Sequence, residues 1–235
     1  SIQRHVCPHR SPRVYPDPQT PPEIQEISLM FKVEGLKFKG KKYMKRDIIL
    51  AGVGGQGILS IATVIGEAAL KEGLYLKQAE VHGMSQRGGD VQSNLRLSSE
   101  PIYSDLIPKG GADIIISLEP MEALRYLPYL KPDGWIVSSC KPFVNIPNYP
   151  DIEQVLEHIK AVKNHVLLDV EVLAKEAGAP LQAANMVLLG AAIPMLGIDH
   201  DKIVAGVERI FARKGEAVVA ANLAAIEAGY SASNL

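Results

Sequence analysis

Only two cysteines, Cys7 and Cys140, occur in 235 residues, and they stand far apart, outside any CxxC or CxH cluster. Their scarcity excludes a disulfide framework, a structural zinc site and a cysteine-held iron–sulfur cluster in this chain, and it fits a reducing, cytoplasmic setting. No apolar run approaches the roughly 20 residues that cross a bilayer. The amino-terminal stretch also lacks the basic, apolar and small-residue order of a secretory signal, so no membrane partner is expected. Positive charge is not in surplus either. A formal net charge of -1 supplies no field for a phosphate backbone, which argues against nucleic acid as a partner. Function must therefore come from a site.

Residues 1–43 differ in composition from the rest of the chain. Pro8, Pro12, Pro16, Pro18, Pro21 and Pro22 come early, and Lys37, Lys39, Lys41 and Lys42 come late. Such a segment cannot bury enough apolar surface to fold by itself, so it is read as an extension, disordered or foreign to the native chain and dispensable for function. His5, Cys7 and His9 are read there as solvated side chains rather than metal ligands. Met44-Lys45-Arg46-Asp47 then leads into Ile48-Ile49-Leu50, and the folded domain is expected over 44–235.

From Met44 onward, short apolar runs alternate with helical periodicity, the pattern of βαβ units. Strands are expected near 46–51, 75–81, 91–97, 113–118, 134–139 and 165–169. Helices are expected near 57–72, 119–130, 152–162, 170–177, 183–196, 200–212 and 215–229. This is an α/β, Rossmann-like three-layer fold with a mostly parallel sheet. Asp113-Ile114-Ile115-Ile116 and Trp135-Ile136-Val137 read as central strands covered on both faces. Val91 to Leu97 alternates polar with apolar, which suggests a half-exposed edge or antiparallel strand. The alanine-rich helices after residue 183 suit close packing and a subunit contact.

Gly52, Gly54 and Gly57 fit G-x-G-x-x-G between a strand and a helix, with Gly55 and Gln56 inside the turn and Glu80 ending the second strand where a ribose-binding acid sits. Glycines let backbone approach a pyrophosphate, whose charge meets the free amides of the next helix. The competing reading is a tight turn in which the glycines serve packing alone. The Gln56 amide offers two donors and an acceptor, which suits a bridge to a ligand or partner.

A second polar loop comes after it: His82-Gly83-Met84-Ser85-Gln86-Arg87-Gly88-Gly89-Asp90. It lies at the carboxyl end of the second strand, where open α/β sheets place their ligand crevice, so it should face the glycine turn. Arg87 can hold a carboxylate or phosphate bidentately. Ser93 and Arg96 would extend the surface if they share a face of the next strand. Alternatively, Arg87 pairs with Asp90 or Glu80 to hold the loop. His82 reads more simply as a hydrogen-bonded loop residue than as an acid–base catalyst.

No catalytic constellation emerges. Ser85 is not in a G-x-S-x-G elbow, and Cys140 ends an apolar strand. His158, His165 and His200 lack ligand spacing and read as surface or capping residues, so no metal site is expected. Asn185 either caps its helix, the simpler reading, or reaches a polar contact toward the cleft.

Taken together, Ile48 to Gly57, Glu80 to Gly89, Val91 to Arg96, Ile107 to Asp113, Leu118 to Ala123 and Asn185 to Ala191 resemble the gamma-type subunit of 2-oxoacid:ferredoxin oxidoreductases. The likeness runs from about Met44 to near the carboxyl terminus, and the stand-alone length is most similar to the branch acting on indolepyruvate. The resemblance implies a hetero-oligomer. A large alpha subunit would carry thiamine diphosphate and [4Fe-4S] clusters, coenzyme A would be co-substrate, and ferredoxin would accept electrons through the complex. The reaction implied is oxidative decarboxylation of an aryl 2-oxoacid to its acyl-CoA, this chain being inactive alone. In such an assembly the glycine turn and the 82–90 loop would face the partner's active site or the coenzyme A phosphates. The readings that stay open beside it are a free-standing NAD(P)-binding reductase and a nucleotide-fold scaffold subunit.

Overall fold

The computed structural model describes residues 43–82, 88–144 and 146–233, with His82 described in its backbone only. The sheet begins with β1 (Lys45–Val53), whose apolar run is buried from Asp47 to Val53. Helix α1 (Ile58–Lys71) packs on it through Ile58, Ile61, Ala62, Ile65, Ala68 and Ala69, one apolar stripe at i, i+3, i+4 and i+7 spacing. Strands β2 (Tyr75–His82), β3 (Asp90–Ser98), β4 (Ala112–Ser117), β5 (Leu130–Ser139) and β6 (Asn164–Leu168) complete six strands in the order β2-β3-β1-β4-β5-β6. β3 runs antiparallel to both its neighbours, while β1, β4, β5 and β6 pair in parallel.

The helices form the outer layers. On one face the core joins α1 to α4 (Val170–Glu176), α5 (Ala184–Leu196), α6 (His200–Phe211) and α7 (Glu216–Ala232). On the other, α2 (Pro120–Arg125) and α3 (Ile152–Lys160) cover a smaller cluster of Ile49, Ala51, Ile115, Ala123, Ile136 and Ile159. The expected α/β three-layer arrangement and all six strands are present. α5 is apolar nearly all round and is the innermost helix: every residue but Pro194 is buried. α7 crosses it so closely that a Cβ on Gly190 would stand 2.1 Å from the Ile226 carbonyl oxygen, and one on Gly229 1.8 Å from that of Val187.

Two expectations change. The helix expected over 119–130 ends at Arg125, and a 3-10 turn at Leu127–Tyr129 leads into β5 at Leu130. Pro128 explains the break, because its ring and missing N–H do not suit a helix interior. β3 is antiparallel as foreseen, but it is neither an edge nor half exposed. It lies between β1 and β2, and its polar alternation is absorbed by hydrogen bonds to the connection that covers it. Ile107 N donates to Asn94 Oδ1 at 3.3 Å, and Arg96 Nη1 donates to the carbonyls of Ser104 and Leu106 at 3.0 and 3.1 Å.

The smaller core also sets one titration. Burial, then Glu122 and Asp90, push the Tyr126 phenol up from 10.0 to about 12. A raised folded-state value means that the neutral form is favoured on folding. The stabilisation is complete below pH 10 and is lost as pH rises toward 12. We expect the urea midpoint to fall across that window and Tyr126→Phe to flatten the fall. An unchanged alkaline slope in the variant would refute this assignment.

Candidate functional site

The glycine turn is held from inside. Gln56 N donates to Val53 O at 3.1 Å, while its side-chain Oε1 accepts from Val53 N at 2.7 Å and its Nε2 donates to Leu118 O at 3.3 Å. The amide expected to reach a ligand thus ties β1 to the end of β4. Gly52 leaves room for it, since a Cβ there would lie 2.9 Å from Gln56 Oε1. Gly55 and Gly57 have φ of 104° and 83°, the left-handed region that side chains disfavour. Gly57 also heads α1, which has no side-chain cap and no acid in its first turn. Its leading amides therefore keep their positive potential for whatever lies in front.

The two loops do meet. Gly54 N donates to Gly89 O at 2.8 Å, and Gly88 N to Gly54 O at 3.4 Å. Ser85, Gln86 and Arg87 lie outside the described residues, as does the His82 side chain. Asp90 is exposed at the start of β3, opposite Val53, and its charge is felt by Arg125 and Tyr126.

The structure separates the other residues expected to join this surface. Ser93 is fully buried and its Oγ accepts from Gln78 Nε2 at 3.1 Å. Arg96, three residues on, points to the opposite face and stands at the far end of β1. There it grips the buried Asp47 carboxylate with Nε–Oδ1 at 2.7 Å and Nη2–Oδ2 at 3.2 Å. The strand alternation that puts i and i+3 on opposite faces accounts for both placements. Glu80 is likewise removed from the turn. In a dinucleotide fold the acid sits on the strand beside β1, but here β3 intervenes and Glu80 is in register with Ser93, which pairs with Leu50.

A cavity of about 780 Å³ opens in front of the turn, on the α5 side. Gly55, Gly57 and Ser60 form one wall, Lys141 and Phe143 another, and Asn185, Lys214 and Asn222 come from the late helices. Its volume falls in the range of small-molecule sites. Phe143 and Leu181 at its lining remain 44% and 61% exposed, apolar surface available to a ligand or partner. Asn185 resolves the alternatives read from sequence: it does not cap α5 but crosses to the turn, Nδ2 donating to Gly57 O at 3.0 Å. A Cβ on Gly57 would lie 2.6 Å from that nitrogen, so the glycine and the asparagine require each other.

The cavity's outer wall is fixed by buried Glu119. Its Oε2 caps α2 by accepting from Glu122 N at 2.8 Å, and its Oε1 accepts from Phe143 N at 3.4 Å and from the Tyr149 hydroxyl. Burial and this bond push the Tyr149 phenol well above its ordinary value. Burial followed by nearby Asp169 raises the Cys140 thiol, which opposes thiolate formation. Lys141 Nζ is held 3.2 Å from Asp169, whose bond raises its pKa.

The lysines, Phe143 and Asn222 escaped the sequence reading because nothing in their local spacing marks a site; only tertiary packing gathers them. His158 and His165 bond locally to Gln154 O and Val162 O, and His200 Nε2 lies 2.9 Å from Glu227. Among the described residues, no three His, Cys, Asp or Glu side chains gather as a metal-ligand set. None of the helices described is long and apolar enough to cross a membrane.

Comparison with known proteins agrees on one group. The sequence model of the pyruvate ferredoxin/flavodoxin oxidoreductase family matches residues 47–232. Indolepyruvate oxidoreductase subunit IorB of Pyrococcus horikoshii is 41% identical over 153 residues, covering 62% of this chain and 75% of that protein. The protein of the same name from Archaeoglobus fulgidus is 33% identical over 200 residues, covering 80% and 95%. Among solved structures, pyruvate oxidoreductase subunit PORC of Thermotoga maritima superposes with a TM-score of 0.61 at 22% identity, over 82% of this chain and 97% of that one. The 2-oxoglutarate:ferredoxin oxidoreductase of Magnetococcus marinus, solved with 2-oxoglutarate, coenzyme A and succinyl-CoA bound, gives a TM-score of 0.64 at 23% identity. It is matched over 81% of this chain but only 31% of its own. At those identities the two structures speak for the fold alone.

Proposed function

The chain belongs to the pyruvate ferredoxin/flavodoxin oxidoreductase family, and from that premise we propose that it is the small subunit of an enzyme oxidatively decarboxylating an aryl 2-oxoacid, indolepyruvate. Indolepyruvate and coenzyme A would give indoleacetyl-CoA and carbon dioxide, with the electron pair passing to ferredoxin. The observation that carries this reading is the grading of relatives. Those named for indolepyruvate are 33% to 41% identical, whereas a 2-oxoglutarate synthase subunit KorC is 30% identical.

Cys140 is the one free cysteine described and no ligand set surrounds it, so the donor set here does not suit an iron–sulfur cluster. We assign the [4Fe-4S] clusters and thiamine diphosphate to a large alpha subunit, where the thiazolium ring of the cofactor would supply the electron sink for decarboxylation. This chain's own contribution is a wall. Gly55 and Gly57 bring backbone to the cavity edge, and Gln56, for which Gly52 leaves room, locks the turn. Gly88 and Gly89, bonded to Gly54, carry the same rim on to Asp90. The uncapped start of α1 suits an anionic group, such as a coenzyme A phosphate.

Co-expression with a large subunit bearing thiamine and ferredoxin-like motifs should yield a stable complex that reduces ferredoxin when given indolepyruvate and coenzyme A. Absence of a complex, or faster turnover of pyruvate or 2-oxoglutarate than of indolepyruvate, would overturn the reading.

A further inference from the structure

The sheet ends on β2 at one side and on β6 at the other, and the two edges differ. An edge strand turns a row of unpaired N–H and C=O groups outward, and folded chains blunt such edges by shortness, bulges, prolines or charge. β6 is blunted: it is five residues long and none of them is exposed. β2 is eight residues long and pairs residue for residue with β3 from Tyr75 to His82, without a bulge or a proline. Its charges are engaged within the chain. Lys77 Nζ lies 2.9 Å from Asp105 Oδ1, and Glu80 accepts from Gln78 Nε2. Tyr75 and Val81 stand 51% and 54% exposed toward its two ends, on one face with Lys77 and Ala79. Among the described residues, no strand lies beyond β2.

We propose that β2 is a self-association edge, where a second copy of this chain adds its own β2 antiparallel and two sheets become one. The occupant follows from the strand's own sequence. A two-fold axis along the sheet normal keeps each face on its own side, so a residue can oppose only one of like parity. With the axis at Gln78, Tyr75 of either copy opposes Val81 of the other, and Lys77 opposes Ala79. With the axis at Ala79, Tyr75 falls beyond the ladder and Val81 is set against Lys77. Aromatic and β-branched residues make a favourable cross-strand pair. The exposed side chains at the two ends therefore cover each other only in the first register. Opposed strand directions also carry the carboxyl ends of the two β1 strands to opposite ends of the joined sheet. The two cavities then open away from each other, and each copy keeps its glycine turn free for a separate large subunit. This pairing is independent of the proposed reaction.

The test is sedimentation velocity of the full chain by itself, comparing wild type with Tyr75→Lys/Val81→Lys and Tyr75→Glu/Val81→Glu. Wild type should sediment at twice the mass of one chain in the micromolar range. Each double variant sets like charges opposite one another. It should keep the far-ultraviolet circular dichroism of the wild type and dimerise at least about tenfold more weakly. An equimolar mixture of the two should recover the dimer, because lysine then meets glutamate at both ends. Mild oxidation of Gln78→Cys should link two chains, with wild type as the blank, and Ala79→Cys should link fewer. Should either double variant lose the dichroism, the cysteine cross-link decides. A single-chain mass for the wild type up to about 100 μM overturns the inference. Slowed exchange of the β2 amides on adding the large subunit would then assign the edge to that partner instead. No recovery on mixing folded variants, or linking of Gln78→Cys no greater than in the wild type or in Ala79→Cys, overturns it as well.

Discussion

Gly229→Ala should lower the thermal midpoint of the chain by roughly 6–12 °C, against a background expectation of slight stabilisation. The helix propensity of alanine over glycine favours the variant by about 0.5–1 kcal/mol at an interior helical position. The crossing with α5 opposes it, because the added methyl would lie 1.8 Å from the Val187 carbonyl oxygen. That neighbour is backbone in the innermost helix and cannot rotate away, so α7 must move. Displacement of a packed helix places the cost at or above the usual upper range for overpacking, about 3 kcal/mol. At about 2–4 °C per kcal/mol for a chain of this size, the shift has the size stated. Gly190→Ala meets the Ile226 carbonyl at 2.1 Å and should behave alike. Gly206→Ala, 3.1 Å from the Val64 carbonyl oxygen, should be clearly milder. Midpoints of Gly229→Ala and wild type within about 2 °C would show that the helices are not seated as described.

Arg96→Ala should cost about 3–5 kcal/mol in urea unfolding while leaving any ligand affinity at the glycine turn unchanged. Asp47 is 1% exposed, and the Arg96 guanidinium makes two bonds to its carboxylate. Lys45 Nζ, 3.1 Å from Asp47 Oδ2, is 42% exposed in its side chain and compensates little. Removing the arginine strands a buried charge, whereas replacing both partners with apolar residues should recover much of the loss. The two halves of this prediction separate a structural arginine from a ligand-binding one. A variant that unfolds like the wild type but loses ligand affinity would return Arg96 to the site surface suggested by its sequence position.

That contrast shows where sequence reading succeeds. Each strand was legible because the runs Ile48-Ile49-Leu50 and Ile114-Ile115-Ile116 are long enough to declare burial on both faces. The meeting of the glycine turn with Gly88 and Gly89 was also legible, since both loops lie at the same end of the sheet. Pairing between strands was not, because alternation in Val91 to Leu97 is equally consistent with an exposed face and with a covered one whose polar groups are bonded. The choice was made by the connection through Ile107, remote in sequence from Asn94, which it bonds. Gln56 misled for a related reason. Its inventory of donors and acceptors says what it can bond, but the nearest unsatisfied groups, Val53 N and Leu118 O, belong to its own fold. Asn185 was visible as a polar residue opening an apolar helix, yet the carbonyl that it serves lies 128 residues away.

The order of the strands has a consequence for where chemistry can reside. Leaving the carboxyl end of β1, the chain crosses by α1 to β2 on one side; leaving that of β4, it crosses by α2 to β5 on the other. The connections thus part in opposite directions between β1 and β4. Such a parting leaves a gap whatever residues line it. The hollow in front of Gly55 and Gly57 is therefore owed to the winding of the chain, and the glycines determine only how near a guest can come to the backbone. A homologue with bulkier residues in the turn would keep the hollow and hold its guest farther out.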